Sequence, residues 1–329
     1  MAAEMASGQP LSVRAVDYHT AGEPFRILTG GVPPLPGRTI LEKRAYARRH
    51  LDHVRKLVVN EPRGHADMYG CFVTEPEDEG AQLGVVFFHN AGYSTACGHG
   101  TIALVTWALE SGVLPAVEPV TEVVVDVPSG RLPCTAFVRG ARVAAVRFRN
   151  VPAFVLSPRL EVAGVECAVA FGGAFYALLP AAAVGLRVSS EHLPRLIQEG
   201  RRLKIAVESA CEVVHPLQPE LRGVYGVIFT EGDANVTVFA DGEVDRSPCG
   251  SGTSARLAVL DAAGELARGQ VLRHRSIVGT VFEGRVVGDA AVGGRPAVVT
   301  EVEGSAHLTG RHEFVLQPED ELGTGFLLR

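Results

Sequence analysis

One five-residue phrase is written twice in this chain. Residues 97–101 read Cys97-Gly98-His99-Gly100-Thr101, and residues 249–253 read Cys249-Gly250-Ser251-Gly252-Thr253. A short β-like run precedes each copy, at 85–88 and at 236–239. An apolar, alanine-rich stretch follows each copy, over 101–109 and 253–260, and predicts a helix. Gly112 and Gly264 stand where a left-handed cap would close these helices. A strand, a glycine-spaced turn and a cysteine at a helix start therefore recur. Recurrence on this scale predicts two similar halves, each presenting one thiol.

The placement has a chemical meaning. The first N–H groups of a helix lack intrahelical acceptors, and the helix dipole adds partial positive charge there. A thiol at such a point is expected to have a lowered pKa, and the thiolate is its reactive form. Glycines let a small anion come close to the backbone N–H groups. If the halves face each other, two thiols flank one carboxylate-sized ligand. Such a pair can lift a proton from one face of a carbon and supply one to the other. This reading requires the sulfurs to meet across a shared cleft with a ligand-sized opening.

Composition bounds the alternatives. At 329 residues, 47% hydrophobic and 21% charged, the chain has the make-up of a globular protein with room for two cores. A net charge of −6 without a basic run argues against a nucleic-acid partner. No apolar run is long enough to predict a membrane span. Residues 1–10 lack a basic start and an apolar centre, so they read as a short mobile tail rather than a signal peptide, and a cytoplasmic location is expected. The six cysteines are scattered and none forms a C-x-x-C pair, which argues against disulfides. Cys71, Cys134, Cys167 and Cys211 read as buried small hydrophobes. None of the lysines, Lys43, Lys56 and Lys204, sits in a motif, so nothing points to pyridoxal phosphate or another cofactor.

In chain order, strands are expected from residue 11 and over 25–28, on either side of a polar turn, Asp17-Tyr18-His19-Thr20-Ala21-Gly22-Glu23-Pro24. Residues 39–56 carry helical spacing, and Lys43, Arg44, Arg48, Arg49, Arg55 and Lys56 read there as a solvated helix face. The loop Glu61-Pro62-Arg63-Gly64-His65-Ala66-Asp67-Met68-Tyr69-Gly70 offers His65 and Asp67 as candidate catalysts, against a structural turn with an Arg63 ion pair. Further strands are expected over 122–127, 143–148, 168–171, 226–229, 275–284 and 297–302, and a helix over 189–208. The tail, 307–328, is expected to pair back onto a sheet. Strands outnumber helices and each half has one central apolar helix, which predicts an α+β chain of two curved sheets, each wrapped round a helix. The expected domains are 11–145, with the tail from about 310 to 329, and 146–309.

Two other readings of the phrase are weaker. Gly98, Gly100 and Ala103, like Gly250, Gly252 and Ala255, match G-x-G-x-x-A. A dinucleotide site also needs an acidic residue about 20 positions on, closing the next strand. Glu118 lies in an expected loop and position 270 is Gln270, so the fingerprint fails twice. Cys97, His99, Asp245 and Cys249 include zinc-ligand types, which keeps a zinc-binding protein as a remote alternative. However, C-x-H is not a usual chelating pair, and two helix starts would aim positive potential at a cation; no metal is expected. Asp245, four residues before the second thiol, is placed either to hold a substrate ammonium or to stabilise its own turn with Arg246.

Taken together, Cys97–Thr101 and Asp245-Arg246-Ser247-Pro248-Cys249-Gly250-Ser251-Gly252-Thr253 resemble the two active-site signatures of the proline racemase family. The likeness extends to 17–24, 61–70 and 276–284, and so to nearly the whole chain. The resemblance implies a cofactor-independent enzyme with the diaminopimelate-epimerase-like fold, two similar barrel-like domains each wrapped round a central helix. It also implies a homodimer acting on a small imino acid, proline or hydroxyproline, in the cleft. By position, Cys97 and Cys249 become the acid/base thiols. Gly98, His99, Gly250 and Ser251 contact the substrate carboxylate, Asp245 holds the ring nitrogen, and Phe239 is an apolar wall. The family includes proline racemases, hydroxyproline 2-epimerases and trans-3-hydroxy-L-proline dehydratases. Stretches 51–55 and 172–176 look more like the dehydratases, in which threonine usually stands at the place of Cys249. Dehydration needs one base, whereas inversion needs an acid on the opposite face, which threonine is too weak to supply. Cys249 therefore favours a racemase or 2-epimerase, with the dehydratase as the alternative.

Overall fold

The computed structural model describes residues 10–328; apart from Pro10, the expected N-terminal tail lies outside the described residues. Alternating apolar positions drive strand formation, and the first two strands, Leu11–Thr20 and Glu23–Gly30, form a hairpin whose turn carries Ala21 and Gly22 at φ 52° and 94°. Glycine takes such a φ without strain. Five α-helices are present among the described residues: α1 (Ile40–His50), α2 (Asp52–Val59), α3 (Gly98–Glu110), α4 (Leu193–Ala210) and α5 (Gly250–Ala262). The architecture is α+β, as the sequence predicts.

The strands join in one continuous, 18-stranded path of pairings. Glu23–Gly30 runs parallel to Tyr69–Thr74, which is antiparallel to Leu83–His89. The path continues through Val120–Val127 and Gly130–Arg139 to Arg142–Arg149. There Arg295–Gly304 takes over and leads through Val281–Val292 into the second half of the molecule. Ala306–Leu316 returns to pair antiparallel with Leu11–Thr20, as expected for the tail.

Each half buries its thiol helix inside and carries other helices outside. Every residue of α3 from Gly98 to Leu109 is buried, which is why this helix is apolar all round. Its Ile102, Leu104, Val105 and Ala108 pack with Phe25, Ile27, Phe87 and Val125. α5 places Ala255, Leu257 and Ala258 against residues of the second sheet such as Ile228, Val286 and Val298. Helices α1 and α2 cover the outer face of the first sheet through Ile40, Ala47, Val54 and Leu57. Helix α4 does the same for the second with Leu196, Leu203 and Val207.

Three details differ from the sequence reading. Residues 275–284 are not one strand: Leu272–Arg275 and Val281–Val292 are separated by a turn whose Ser276 Oγ meets Thr280 Oγ1 at 2.7 Å. The cations of 39–56 do not form a uniformly solvated face. Lys43 and Arg55 are buried, because backbone carbonyls at strand ends accept from them: Lys43 donates to Glu75 O, just past Tyr69–Thr74, and Arg55 donates to His89 O at 2.8 Å. The Arg63 ion pair expected for the 61–70 loop is present, with its carboxylate at Asp320 (2.6 Å). All six cysteines are free, and Cys211 is only partly buried. No described helix is long and apolar enough to cross a membrane.

Candidate active site

The two copies of the phrase start α3 and α5, with Cys97 and Cys249 as the N-cap residues. Threonine recurs for a local reason. Thr101 Oγ1 donates to Cys97 O at 2.9 Å, and Thr253 Oγ1 donates to Cys249 O at 2.8 Å, so each hydroxyl clamps the first turn beneath its thiol. The glycine after each cysteine also recurs for a reason. A Cβ on Gly98 would stand 2.5 Å from the Gly250 Cα, and one on Gly250 would stand 2.6 Å from the Gly98 Cα. The helix starts therefore meet almost backbone to backbone. Two positive helix ends converge on one point, so the local potential there favours negative charge.

Cys97 and Cys249 line one cavity, together with Gly98, His99, Phe239, Asp245, Gly250 and Ser251. The two thiols and the six residues that the resemblance places beside them are thus brought together. The second requirement, a ligand-sized opening, is not met in this conformation: the cavity measures about 10 Å³, the room of about one water. A ring-bearing acid enters only if the walls move apart. Among the described residues, no three His, Cys, Asp or Glu side chains are grouped so that they could hold a metal ion. Cys97, His99, Asp245 and Cys249 therefore do not make the tetrahedral set that the zinc alternative needs.

The thiols are less alike than their sequences. Cys97 has an extended backbone (φ −154°) and its Sγ accepts from Gly100 N at 3.2 Å. The His99 ring nitrogens lie 3.4 and 3.5 Å from the same sulfur. Cys249 takes φ 66°, a strained value for a residue with a side chain. Its Sγ reaches the Tyr176 hydroxyl at 3.6 Å, and that hydroxyl meets Ser251 Oγ at 2.6 Å.

The lowered thiol pKa expected from the helix starts is overturned. Burial pushes both thiols up, Cys97 well above its ordinary value and Cys249 to about 12. Desolvation of the thiolate outweighs the Gly100 N–H at Cys97, and the Asp245 charge nearby raises both further. His99, packed edge-on to Phe25 and Tyr69 (centroids 5.6 and 4.9 Å), is lowered to about 3 by burial and stays neutral.

Asp245 ends the strand Glu243–Asp245. Its Oδ1 accepts from Ser247 N (2.8 Å) and Ser247 Oγ (2.7 Å), and Ser247 Oγ in turn accepts from Cys249 N (3.1 Å). This chain fixes the carboxylate relative to the thiol. Burial raises Asp245 to about 6, with the Ser247 hydrogen bonds opposing the rise. The neighbouring Arg246 turns away to Glu23, whose Oε2 accepts from Arg246 N (2.7 Å) and lies 3.1 Å from Arg246 Nε. The polar turn at 17–24 thus braces the second thiol loop from the other half. The split turn at 276–280 braces that brace, with Thr280 Oγ1 donating to Ala21 O at 2.7 Å. His65 is exposed and takes no part in the cavity; Asp67 is buried 3.5 Å from Arg246 Nη1.

Three tyrosines complete the walls: Tyr69, Tyr176 and Tyr225. The Tyr69 hydroxyl meets Tyr225 at 2.9 Å, and Tyr225 stacks on Phe239 with centroids 5.4 Å apart. Tyr69 and Tyr176 lie in stretches the sequence reading singled out, 61–70 and 172–176, but nothing there marks them as wall residues. Tyr225 had no signal at all.

The chain is similar to known proteins over nearly its whole length. The sequence matches the proline racemase family over residues 15–327. It is 45% identical to a trans-3-hydroxy-L-proline dehydratase of Bacillus cereus, covering 95% of this chain and 97% of that one. It is 46% identical to a 3-hydroxyproline 2-epimerase of Burkholderia multivorans, covering 97% and 98%. Among solved structures it superposes on a hydroxyproline epimerase of Agrobacterium vitis holding trans-4-hydroxy-L-proline, with a TM-score of 0.90, 31% identity and coverage of 97% and 96%.

Proposed function

The chain belongs to the proline racemase family, and on that premise we propose that it inverts the α-carbon of a proline-like imino acid, with a hydroxyproline as the preferred substrate. The observation that carries this reading is a cysteine at both helix starts of one cavity. In each turnover one sulfur, as thiolate, takes the α-proton: the C–H bond breaks and an S–H bond forms. The facing thiol gives up its proton to the opposite face of the carbon, leaving the second sulfur as thiolate. The charge that develops on the substrate carboxylate is met by the converging helix starts, with Gly98, His99, Gly250 and Ser251 beside it. Asp245 faces the ring nitrogen, and Phe239 closes the apolar side. No cofactor takes part in the scheme. Because burial keeps both thiols neutral in the closed cavity, one passes its proton to bulk water while the walls are open, and the substrate's cationic nitrogen then favours the thiolate that remains.

A second reading, dehydration of trans-3-hydroxy-L-proline, draws support from the Bacillus cereus relative. Here Cys97 takes the α-proton and the 3-hydroxyl departs as water, with Cys249 as its acid. Turnover in D2O separates the two. Inversion predicts deuterium at the α-carbon of the product epimer, and Cys97→Ser and Cys249→Ser each reduce it by about three orders of magnitude or more. Conversion of 3-hydroxyproline to a cyclic imine without α-exchange into either epimer would replace inversion with dehydration.

A further inference from the structure

A much larger cavity, about 520 Å³, opens on the outer side of Tyr225, which lines both spaces. Its rim draws on both halves of the molecule. Arg44 and Arg48 come from α1, Lys204 from α4, and Arg222 from the loop before Val224. None of these four cations has an ion pair among the described residues; Arg44 Nη2 and Lys204 Nζ donate only to backbone carbonyls, of Tyr93 and Ala240, each at 2.8 Å. Arg44 Nε is buried with no partner at all. The acidic groups facing the same space are Asp52, Glu208 and Asp241. Asp52 is already held by Arg55 and Lys56, at 2.6 and 3.2 Å, and Glu208 accepts from Val224 N at 2.9 Å. With Arg55 counted, five cations face three carboxylates across this space, so a protein of net charge −6 gathers an excess of positive charge round one concavity, which favours a small anion. Tyr93, Phe171, Phe175 and Tyr225 supply apolar surface beside the cations. The volume is that of a small-molecule site.

We propose that this outer cleft is a second binding site, selective for a small carboxylate with an apolar body, held by Arg44 and Arg48 with Lys204 and Arg222 opposite. Resting on the function proposed above, its occupant is the imino acid on its way to the thiols, with Tyr225 as the partition between the two chambers. A separate carboxylate effector has the same chemistry, and the two sources give different kinetics.

The test uses the full chain and cyclopentanecarboxylate, a ring acid without the nitrogen that Asp245 would hold. Calorimetric titration of Arg44→Gln/Arg48→Gln should show binding weakened at least about tenfold relative to wild type, and Arg44→Lys/Arg48→Lys should recover most of it. In steady-state assays with 3-hydroxyproline, a KM raised about fivefold or more, with kcat within about twofold, identifies the incoming substrate as the occupant. Weakened titration with KM unchanged identifies a separate effector. Unchanged titration in the glutamine variant, or a fall in kcat alone, overturns the site. Lys204→Gln/Arg222→Gln, from the opposite rim, gives the same readout should the first variant fail to fold. If wild type turns over no imino acid, the reaction proposed above fails, while the titration still decides the cleft.

Discussion

Cys97 and Cys249 cap equivalent helices from different backbones, and burial decides which groups around them titrate. The proton inventory of the free site is set by burial rather than by the helix ends. In the proposed reaction Asp245 must be ionised to hold a cationic ring nitrogen, yet burial raises its carboxyl to about 6. Activity as kcat/KM should therefore fall about tenfold per unit as pH drops below about 6, since this parameter reports the free enzyme. His99, lowered to about 3, adds no limb in that range. The same shift has a sign for stability. A carboxyl whose folded pKa is raised contributes stability below its unfolded pKa and loses it as pH rises through the folded value. Ionising Asp245 between about pH 4 and 6 thus weakens the fold, and Asp245→Asn should raise Tm more at pH 8 than at pH 4. Equal Tm changes at both values would contradict the buried carboxylate. At this scale the sequence was only partly legible. The thiols, Asp245 and the glycines announce themselves by spacing, whereas Tyr225 is a single aromatic in a strand, with the same look as any core residue.

At the scale of elements, the meeting of α3 and α5 is the feature that leaves least freedom. With Gly98 and Gly250 in backbone contact, one added methyl has nowhere to go. Gly98→Ala and Gly250→Ala should each destabilise the chain by about 2 kcal/mol or more. Each should also remove activity even where the chain still folds, because the helices separate and the sulfurs with them. Thermal unfolding with an activity assay checks both; retained activity in Gly98→Ala would show that the helix starts are not held in contact. The helices were readable because their apolar runs are long and end in glycines, Gly112 and Gly264, that take φ 74° and 70° as expected. The turn at 276–280 was not, because Ile277 and Val278 are β-formers whose local preference is overridden by the need to reach Ala21 and Gly22. The cations of α1 were misread for a related reason: helical spacing tells which residues share a face, and not whether that face looks onto solvent or into a cleft.

At the scale of the whole molecule, closure governs access. Cys97 and Cys249 are buried and raised in pKa, whereas Cys211 is partly exposed and raised to a smaller extent. Iodoacetamide at pH 7.5 should modify Cys211 first, with Cys97 and Cys249 lagging by about tenfold or more. Peptide mass mapping over time reads the order directly. Faster labelling of Cys97 than of Cys211 would mean that the free protein spends much of its time open.

The pairing of Leu11–Thr20 with Ala306–Leu316 places the chain's opposite ends side by side in one sheet. During synthesis the ribosome delivers the earlier strand long before its partner exists. The half that holds Cys97 therefore lacks its last strand until the half that holds Cys249 has been made. Bringing Cys97 and Cys249 together in the finished sheet is in this way postponed until Ala306–Leu316 has been made, and a chain halted before residue 306 leaves Leu11–Thr20 without one of its two neighbours.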